Sequence, residues 1–313
     1  MAPNDSPVIE ARGVVHRYGE RRALDGFDLE VPPASVFGLL GPNGSGKSTF
    51  VALVAAMERP SQGSLTVFGR EPSAPLRARV GTVFQENAQD PLMSVDETVW
   101  LAGRLFGVPR AALRDRARAL LAAFGLGERR GDAVSTLSGG MRRRLEMARA
   151  LVHDPELVLL DEPTTGVDPG ERRALWDAVL GERRRTILVA TNDLAEADSV
   201  CDHVAFIKDG RVLAAGKPAD LKRGLRREAV RLTWHEPTEE QLREVGRWPG
   251  TGGVTCDGQT VHITADDASA LVPRLFELAP GAIRSVTIEA SSLEDAYFQF
   301  VSRQEPLATV AAT

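Results

Sequence analysis

Apolar and polar positions alternate with two different periods along this chain. Val36-Phe-Gly-Leu-Leu40, Leu157 to Leu160 and Thr186 to Ala190 are continuous apolar runs. Such runs predict strands covered on both faces, as in a parallel α/β core. Val8 to Val15, leading to Tyr18, and then Phe27 to Val31 and Val80 to Phe84 also read as strands. A helix is expected from Lys47 to Met57 and another around Glu171 to Arg184. From Asp96 to Phe106 and Arg110 to Phe124 the period becomes helical. A polar stretch follows, and Ser138-Gly-Gly140 then opens a helix through Leu151, which predicts an inserted helical subdomain over about 86–155. Val204 to Lys208 and Arg211 to Ala214 flank Asp209-Gly210, a pair that favours a type I′ hairpin turn.

The pattern changes after about Arg223. Ala229 to Trp234 reads as strand and Glu239 to Arg247 as helix. A hairpin about Asp257-Gly258 ends near Thr264, helix covers Asp266 to Leu278, strand Ile283 to Glu289, and helix Leu293 to Val301. That βαββαβ order is the ferredoxin-like one and predicts a small α+β unit. The 313 residues, 43% hydrophobic, suffice for two cores. The expected organisation is a first domain over 1–223, a small domain over 224–301 and a flexible tail over 302–313.

Composition narrows the classes. A net charge of -5 argues against a dedicated nucleic-acid surface, which needs a basic face. The two cysteines, Cys201 and Cys256, form neither a disulfide framework nor a metal-ligand spacing, which favours the cytosol. The N-terminus lacks the basic start and apolar core of a signal peptide, and no apolar run is long enough to span a bilayer. A membrane role therefore requires a partner.

Gly41-Pro-Asn-Gly-Ser-Gly-Lys-Ser48 fits the phosphate-loop pattern, in which small residues let successive backbone N–H groups face a polyphosphate at a helix N-terminus. Lys47 would reach the terminal phosphates and Ser48 would ligate magnesium. Asp161 ends a buried apolar run, where the nucleotide sites of α/β sheets lie, and can hold magnesium. Glu162, next to it, is the natural general base for an attacking water. Ser138-Gly-Gly140 opens a helix, so its hydroxyl, backbone donors and macrodipole form a second anion site. Arg142, Arg143 and Arg144 read as a solvated helix face. His235 and His262 lack partners at a recognisable metal spacing.

From Val8 to Arg223 the chain resembles the nucleotide-binding subunit of an ABC (ATP-binding cassette) transporter. The resemblance implies a P-loop NTPase fold: a RecA-like α/β core with an antiparallel β subdomain and the inserted helical subdomain. It implies that Tyr18 stacks on adenine and that Gly41, Asn43, Gly44, Ser45, Gly46, Lys47, Ser48 and Thr49 form the Walker A loop. Gln85 would be the Q-loop residue, contacting magnesium and the attacking water. Leu137 to Gly140 would be the signature, with Ser138, Gly139 and Gly140 on the nucleotide; Asp161 and Glu162 would be Walker B with its catalytic glutamate, and Asp168 the D-loop aspartate. In that family two cassettes pack head to tail, which implies a homodimer with ATP and Mg2+ at the interface. It also implies a separate transmembrane permease, whose coupling helix would face about Glu86 to Val95.

One departure stands out. Asn192 occupies the position where the family usually has a switch histidine, and an amide donates a hydrogen bond but carries no proton charge. The wording Ser-Gly-Gly-Met-Arg-Arg-Arg-Leu-Glu146 and the segment Ser292-Leu-Glu-Asp-Ala-Tyr-Phe298 resemble the ABC-2 type exporter branch, including daunorubicin-resistance-type drug efflux ATPases. The expected function is that of an ATP-hydrolysing subunit at the inner face of the cell membrane, energising export of a drug, lipid, polysaccharide or ion. A soluble non-transport ABC ATPase, or an ATP-dependent sensor with negligible turnover, is the alternative.

Overall fold

The computed structural model describes residues 6–85, 89–181, 185–223, 228–289 and 292–304. Two compact units divide between Gly216 and Lys217.

In the first unit, the continuous apolar runs become parallel strands with both faces covered. The elements are β1 (Ile9–Tyr18), β2 (Arg21–Val31), β3 (Val36–Leu40), α1 (Lys47–Val54), β4 (Gln62–Val67), β5 (Val80–Val83), α2 (Val95–Leu105), α3 (Arg110–Ala123), α4 (Gly139–Leu151), β6 (Leu157–Asp161), α5 (Pro169–Leu180), β7 (Thr186–Thr191), α6 (Leu194–Val200), β8 (His203–Lys208) and β9 (Arg211–Gly216). The main sheet has the order β5-β6-β7-β3-β8-β9, with only β9 antiparallel to its neighbour. All five residues of β6 and all six of β7 are buried. A separate antiparallel sheet, β2-β1-β4, shares an apolar core with α1 and with residues of β3, β6 and β7. Within that core the rings of Phe27 and Phe50 lie 4.7 Å apart. A second core joins α2, α3, α4 and α5 to β6 and β7, so the helical insertion is anchored on the sheet.

Several boundaries differ from the sequence-based expectation. Strand β2 begins at Arg21 rather than Phe27; exposed Arg21 and Arg22 followed by buried Ala23 and Leu24 break the period-two alternation that marks a strand. Strand β4 has only Leu65 and Val67 buried and gives no clear period. Helix α1 stops at Val54 rather than Met57, since Ala56 takes a left-handed φ of 57° that ends the helix. Helix α2 starts where Ser94 and Glu97 form a reciprocal capping box. At the β8–β9 hairpin Asp209 and Gly210 have φ of 50° and 74°, the two left-handed positions that a type I′ turn requires. The expected helix end at Arg184 and the stretch from Glu86 to Ala88 lie outside the described residues.

The second unit contains α7 (Pro218–Arg223), β10 (Glu228–Trp234), α8 (Glu239–Gly246), β11 (Thr251–Asp257), β12 (Thr260–Ala265), α9 (Ala268–Leu278), β13 (Ile283–Glu289) and α10 (Leu293–Gln304). Its sheet order, β11-β12-β10-β13, is antiparallel throughout, which is the ferredoxin-like arrangement. Val230, Leu232 and Trp234 alternate inward with Val261, Ile263 and Ala265 onto α8 and α9. Helix α7 packs against α10 and so falls in this unit, whereas the sequence places it before the boundary at Arg223.

Candidate functional site

Four site loops leave the carboxyl ends of four adjacent strands. In spatial order, β5 leads to Gln85, β6 to Asp161 and Glu162, β7 to Asn192, and β3 to Gly41. The strand ends are level, with Val83 beside Leu160, Asp161 beside Ala190 and Leu40 beside Thr191. Ligand crevices in α/β sheets form at such an edge.

The loop after β3 is shaped by glycine. A Cβ on Gly41 would sit 2.2 Å from the carbonyl oxygen of Ile207, and Gly46 has φ of 110° with the Ala23 carbonyl 2.6 Å from where its Cβ would be. No other residue fits either position. Helix α1 then begins at Lys47, with its first amides facing the loop. Tyr18, Asn43, Gly44, Gly46, Lys47, Ser48, Thr49, Gln85 and Glu162 line one cavity of about 340 Å³. Asp161 lies behind it, only 2% exposed. Asn192 Nδ2 is 3.5 Å from Asn43 Oδ1, which places that amide at the same rim. Gly41 and Ser45 are buried under the loop.

Lys47 is 5% exposed. Its Nζ donates to the carbonyls of Gly41 at 2.7 Å and Pro42 at 3.2 Å and lies 3.8 Å from Glu162 Oε1. Burial lowers its pKa, opposed by the charges of Glu162 and Asp161. Burial raises the pKa of Asp161, opposed by a hydrogen bond with Ser48 and by Lys47. It also raises that of Glu162, with Lys47 opposing and Asp161 adding to the rise. Asp161 Oδ1, Glu162 Oε1 and Ser45 Oγ are buried without a hydrogen-bond partner. A bound ion or water accounts for buried oxygens of that kind.

Of these, Asp161 Oδ1 fits a magnesium ion carried by a polyphosphate. That ion takes oxygen ligands, typically one or two from protein beside substrate phosphates, and Ser48 with Asp161 supplies such a pair. Among the described residues no three His, Cys, Asp or Glu side chains gather as a metal cage.

Tyr18 is half exposed, leaving its ring available for stacking, and its hydroxyl donates to Glu58 at 2.8 Å. Glu58 also meets His16 Nε2 at 2.7 Å, while His16 Nδ1 lies 3.0 Å from the Arg59 carbonyl. His16 and Glu58, which brace the ring from β1 and the segment after α1, have no sequence motif. Glu196 is likewise unforeseen: buried on α6, it accepts from Thr164 Oγ1 at 3.0 Å and Trp176 Nε1 at 2.8 Å, joining the loops after β6 and β7.

Ser138, Gly139, Gly140 and Asp168 do not line the cavity. Ser138 caps α4, accepting from Met141 N at 3.2 Å, and is exposed with Gly139. Asp168 is exposed at the N-cap of α5.

The arginine run after the signature is not a solvated face. Arg143 is 4% exposed, and Arg142 and Arg144 are partly buried. Arg142 donates to the Leu137 carbonyl at 2.7 Å, Arg144 to Glu171 at 3.4 Å, and Arg143 to backbone carbonyls beneath the cavity. A signal existed in the periodicity. Arg143 lies on one helical face with Glu146, Met147 and Ala150, all buried.

A second, apolar cavity of about 460 Å³ opens between β5 and the helical insertion, lined by Met57, Phe84, Met93, Leu101, Leu105 and Phe106 among others. Phe84 lines this groove and the next residue, Gln85, lines the first cavity.

The ABC transporter family model matches residues 24–165. The chain is 37% identical over 308 residues to the daunorubicin/doxorubicin resistance ATP-binding protein DrrA of Streptomyces peucetius, covering 95% of this chain and 93% of the relative. It is 43% identical over 222 residues to the Nod factor export ATP-binding protein I of Cupriavidus metallidurans, covering 68% and 72%. Among solved structures, an ATP-binding subunit of an ABC transporter superposes with a TM-score of 0.65 at 26% identity, covering 70% of this chain and 93% of that one.

Proposed function

The chain belongs to the ABC transporter family, and from that premise we propose that it is the ATP-hydrolysing subunit of an exporter whose membrane-spanning part is a separate polypeptide. The observation that carries hydrolysis is that Lys47 and Glu162 line one cavity at the sheet edge with the Asp161 carboxylate buried next to them. The names of the relatives support export. No helix among the described residues is long and apolar enough to cross a membrane, so the partner would supply that part, with this subunit docked peripherally at the inner face.

Tyr18 stacks on the base, held upright by Glu58. The amides of the 41–49 loop cradle the phosphates, and Lys47 exchanges its neutral carbonyl acceptors for charged phosphate oxygens, which bind it more strongly. Ser48 and Asp161 would hold magnesium, which would supply positive charge beside the phosphate oxygens. Gln85 and Asn192 hold the phosphate and the attacking water from either side. Glu162, its pKa raised by burial, takes the proton of that water as the terminal phosphoanhydride bond breaks to leave ADP and phosphate.

The signature, with Ser138 and Gly139 exposed, has no nucleotide to meet in its own subunit's cavity. A second copy packed head to tail would bring one, giving a homodimer with two ATP molecules at the interface. The apolar groove is where we place the permease. A helix seated against Leu101, Leu105 and Phe106 would press on Phe84 and thereby on Gln85. Leu105, 76% exposed, is the accessible anchor. Replacing it with Glu puts a charge into that groove and is expected to lower recovery of the membrane partner at least about tenfold.

Two measurements test these assignments. The Glu162→Gln protein, tagged in its native host and extracted from membranes with ATP and magnesium, is expected to bring down a stoichiometric integral membrane protein. Recovery of a closed dimer from the soluble fraction alone would overturn the exporter assignment. For the rim amide, Asn192→Ala is expected to lower turnover about tenfold or more, the loss of one hydrogen bond to a charged group, and Asn192→His to retain it. Wild-type turnover in the alanine variant would show that Asn192 contributes nothing.

A further inference from the structure

Arg143 sits where three parts of the first unit meet. It projects from α4, the helix that Ser138 caps. Its Nη1 donates to the Phe84 carbonyl at 2.5 Å, at the end of β5. Nη2 donates to the carbonyls of Asp161 at 2.5 Å and Glu162 at 2.9 Å, and Nε to that of Pro163 at 3.0 Å. One planar fork thus fastens the backbone that carries Gln85 and the backbone that carries both hydrolytic carboxylates. The second needs fastening, because Glu162 has φ of 49°, a left-handed conformation that a non-glycine residue holds only under constraint. Its own amide bonds to the Ala190 carbonyl at 2.8 Å, and Arg143 secures the other side. A guanidinium can do this without losing its proton, and its rigid donor geometry spans both loops at once.

We propose that Arg143 is a positioning residue that links the two ATP sites of the dimer. Through the tip of α4 its helix acts on the partner's nucleotide, and through the guanidinium it acts on its own subunit's Glu162 and Gln85. This rests on the head-to-tail homodimer proposed above. Movement of α4 when Ser138 engages the partner's phosphate is then transmitted to Glu162 as a displacement of its main chain. Lysine keeps the charge but cannot reach both loops. Misplacing a reacting group by about 1 Å costs about a hundredfold in rate.

The test uses differently tagged copies, co-expressed and purified as mixed dimers with a single working site. In the first arrangement one subunit carries Arg143→Lys and its partner Glu162→Gln, so the active site contains the altered arginine. In the second, Arg143→Lys and Glu162→Gln share one subunit, so the active site contains its signature but an intact Arg143. Nucleotide affinity is expected to stay within about threefold, while kcat falls about tenfold to a hundredfold in both arrangements. If only the first loses kcat, Arg143 serves its own site and the link is overturned. If neither does, Arg143 has no positioning role. Should the lysine variant fail to fold, Arg143→Gln, which retains a planar two-donor amide, takes its place with the same expectations. Mixed dimers with both arginines intact and no turnover would instead overturn the hydrolytic dimer itself, and this link with it.

Discussion

Changing Glu162 to Gln lowers steady-state ATP turnover by about 10²- to 10⁴-fold, the range contributed by a positioned general base. The amide keeps the shape and the backbone hydrogen bonds of the site but cannot accept the proton of the attacking water. Since Tyr18, the 41–49 loop and Lys47 are untouched, nucleotide binding persists, and Lys47 is relieved of one carboxylate 3.8 Å away. The dimer is therefore expected to accumulate closed around ATP, which equilibrium binding and size-exclusion chromatography with and without ATP would reveal. Turnover within threefold of wild type would remove Glu162 from the base role and leave Asp161 or Gln85 to orient the water.

Asp161→Asn separates stability from activity. Turnover is expected to fall by about 10²- to 10³-fold, as when a group that stabilises developing charge is deleted, with the dependence on magnesium weakened. The ligand-free protein should nonetheless unfold at a higher temperature. Asp161 is buried with one oxygen unpartnered, and burial raises its pKa, so its ionised form destabilises the fold when nothing coordinates it. Between the ordinary carboxylate value and the raised one, the native state holds a proton that the unfolded state has released. Stability consequently falls as pH rises through that window and levels off above it. Glu162 and Glu196 are raised in the same direction, so the variant should show a reduced slope rather than none. Thermal unfolding without nucleotide, run across the acidic to neutral range for both proteins, checks this. Parallel curves would mean that Asp161 carries no desolvation cost.

The parts of the molecule legible in the sequence are those whose requirement is local. A phosphate loop needs small residues in succession, and the reason is visible at Gly41 and Gly46, where a single Cβ would strike backbone. Asp161 announces itself because β6 is apolar up to that point. The Asp209-Gly210 hairpin follows from two residues that tolerate positive φ. The βαββαβ order of the second unit is also readable, whereas α7 shows no helical period in the sequence and its residues lie before the expected domain boundary at Arg223. Strands β2 and β4 were clipped or missed because one is marked by exposed charges and the other buries only two side chains, which leaves little period to detect.

The arginine run is where sequence pattern and fold diverge. As three like charges on a helix it looks like surface, and in the fold the middle one is among the most buried cations of the first unit. Its partners are main-chain carbonyls from residues 84 and 161–163, which any amino acid would present. His16, Glu58 and Glu196 escaped notice because their partners, too, lie far along the chain. The sequence by itself determined which residues carry the proposed chemistry: a glycine-rich loop, an aspartate ending an apolar run, a neighbouring glutamate and a serine-glycine segment opening a helix, each defined by side chains in a row. Only the tertiary structure decided which of these share a cavity, which face outward, and what holds Glu162 in its conformation. Hydrogen bonds to backbone leave no mark on residue identity, so they become readable only once the strands are side by side.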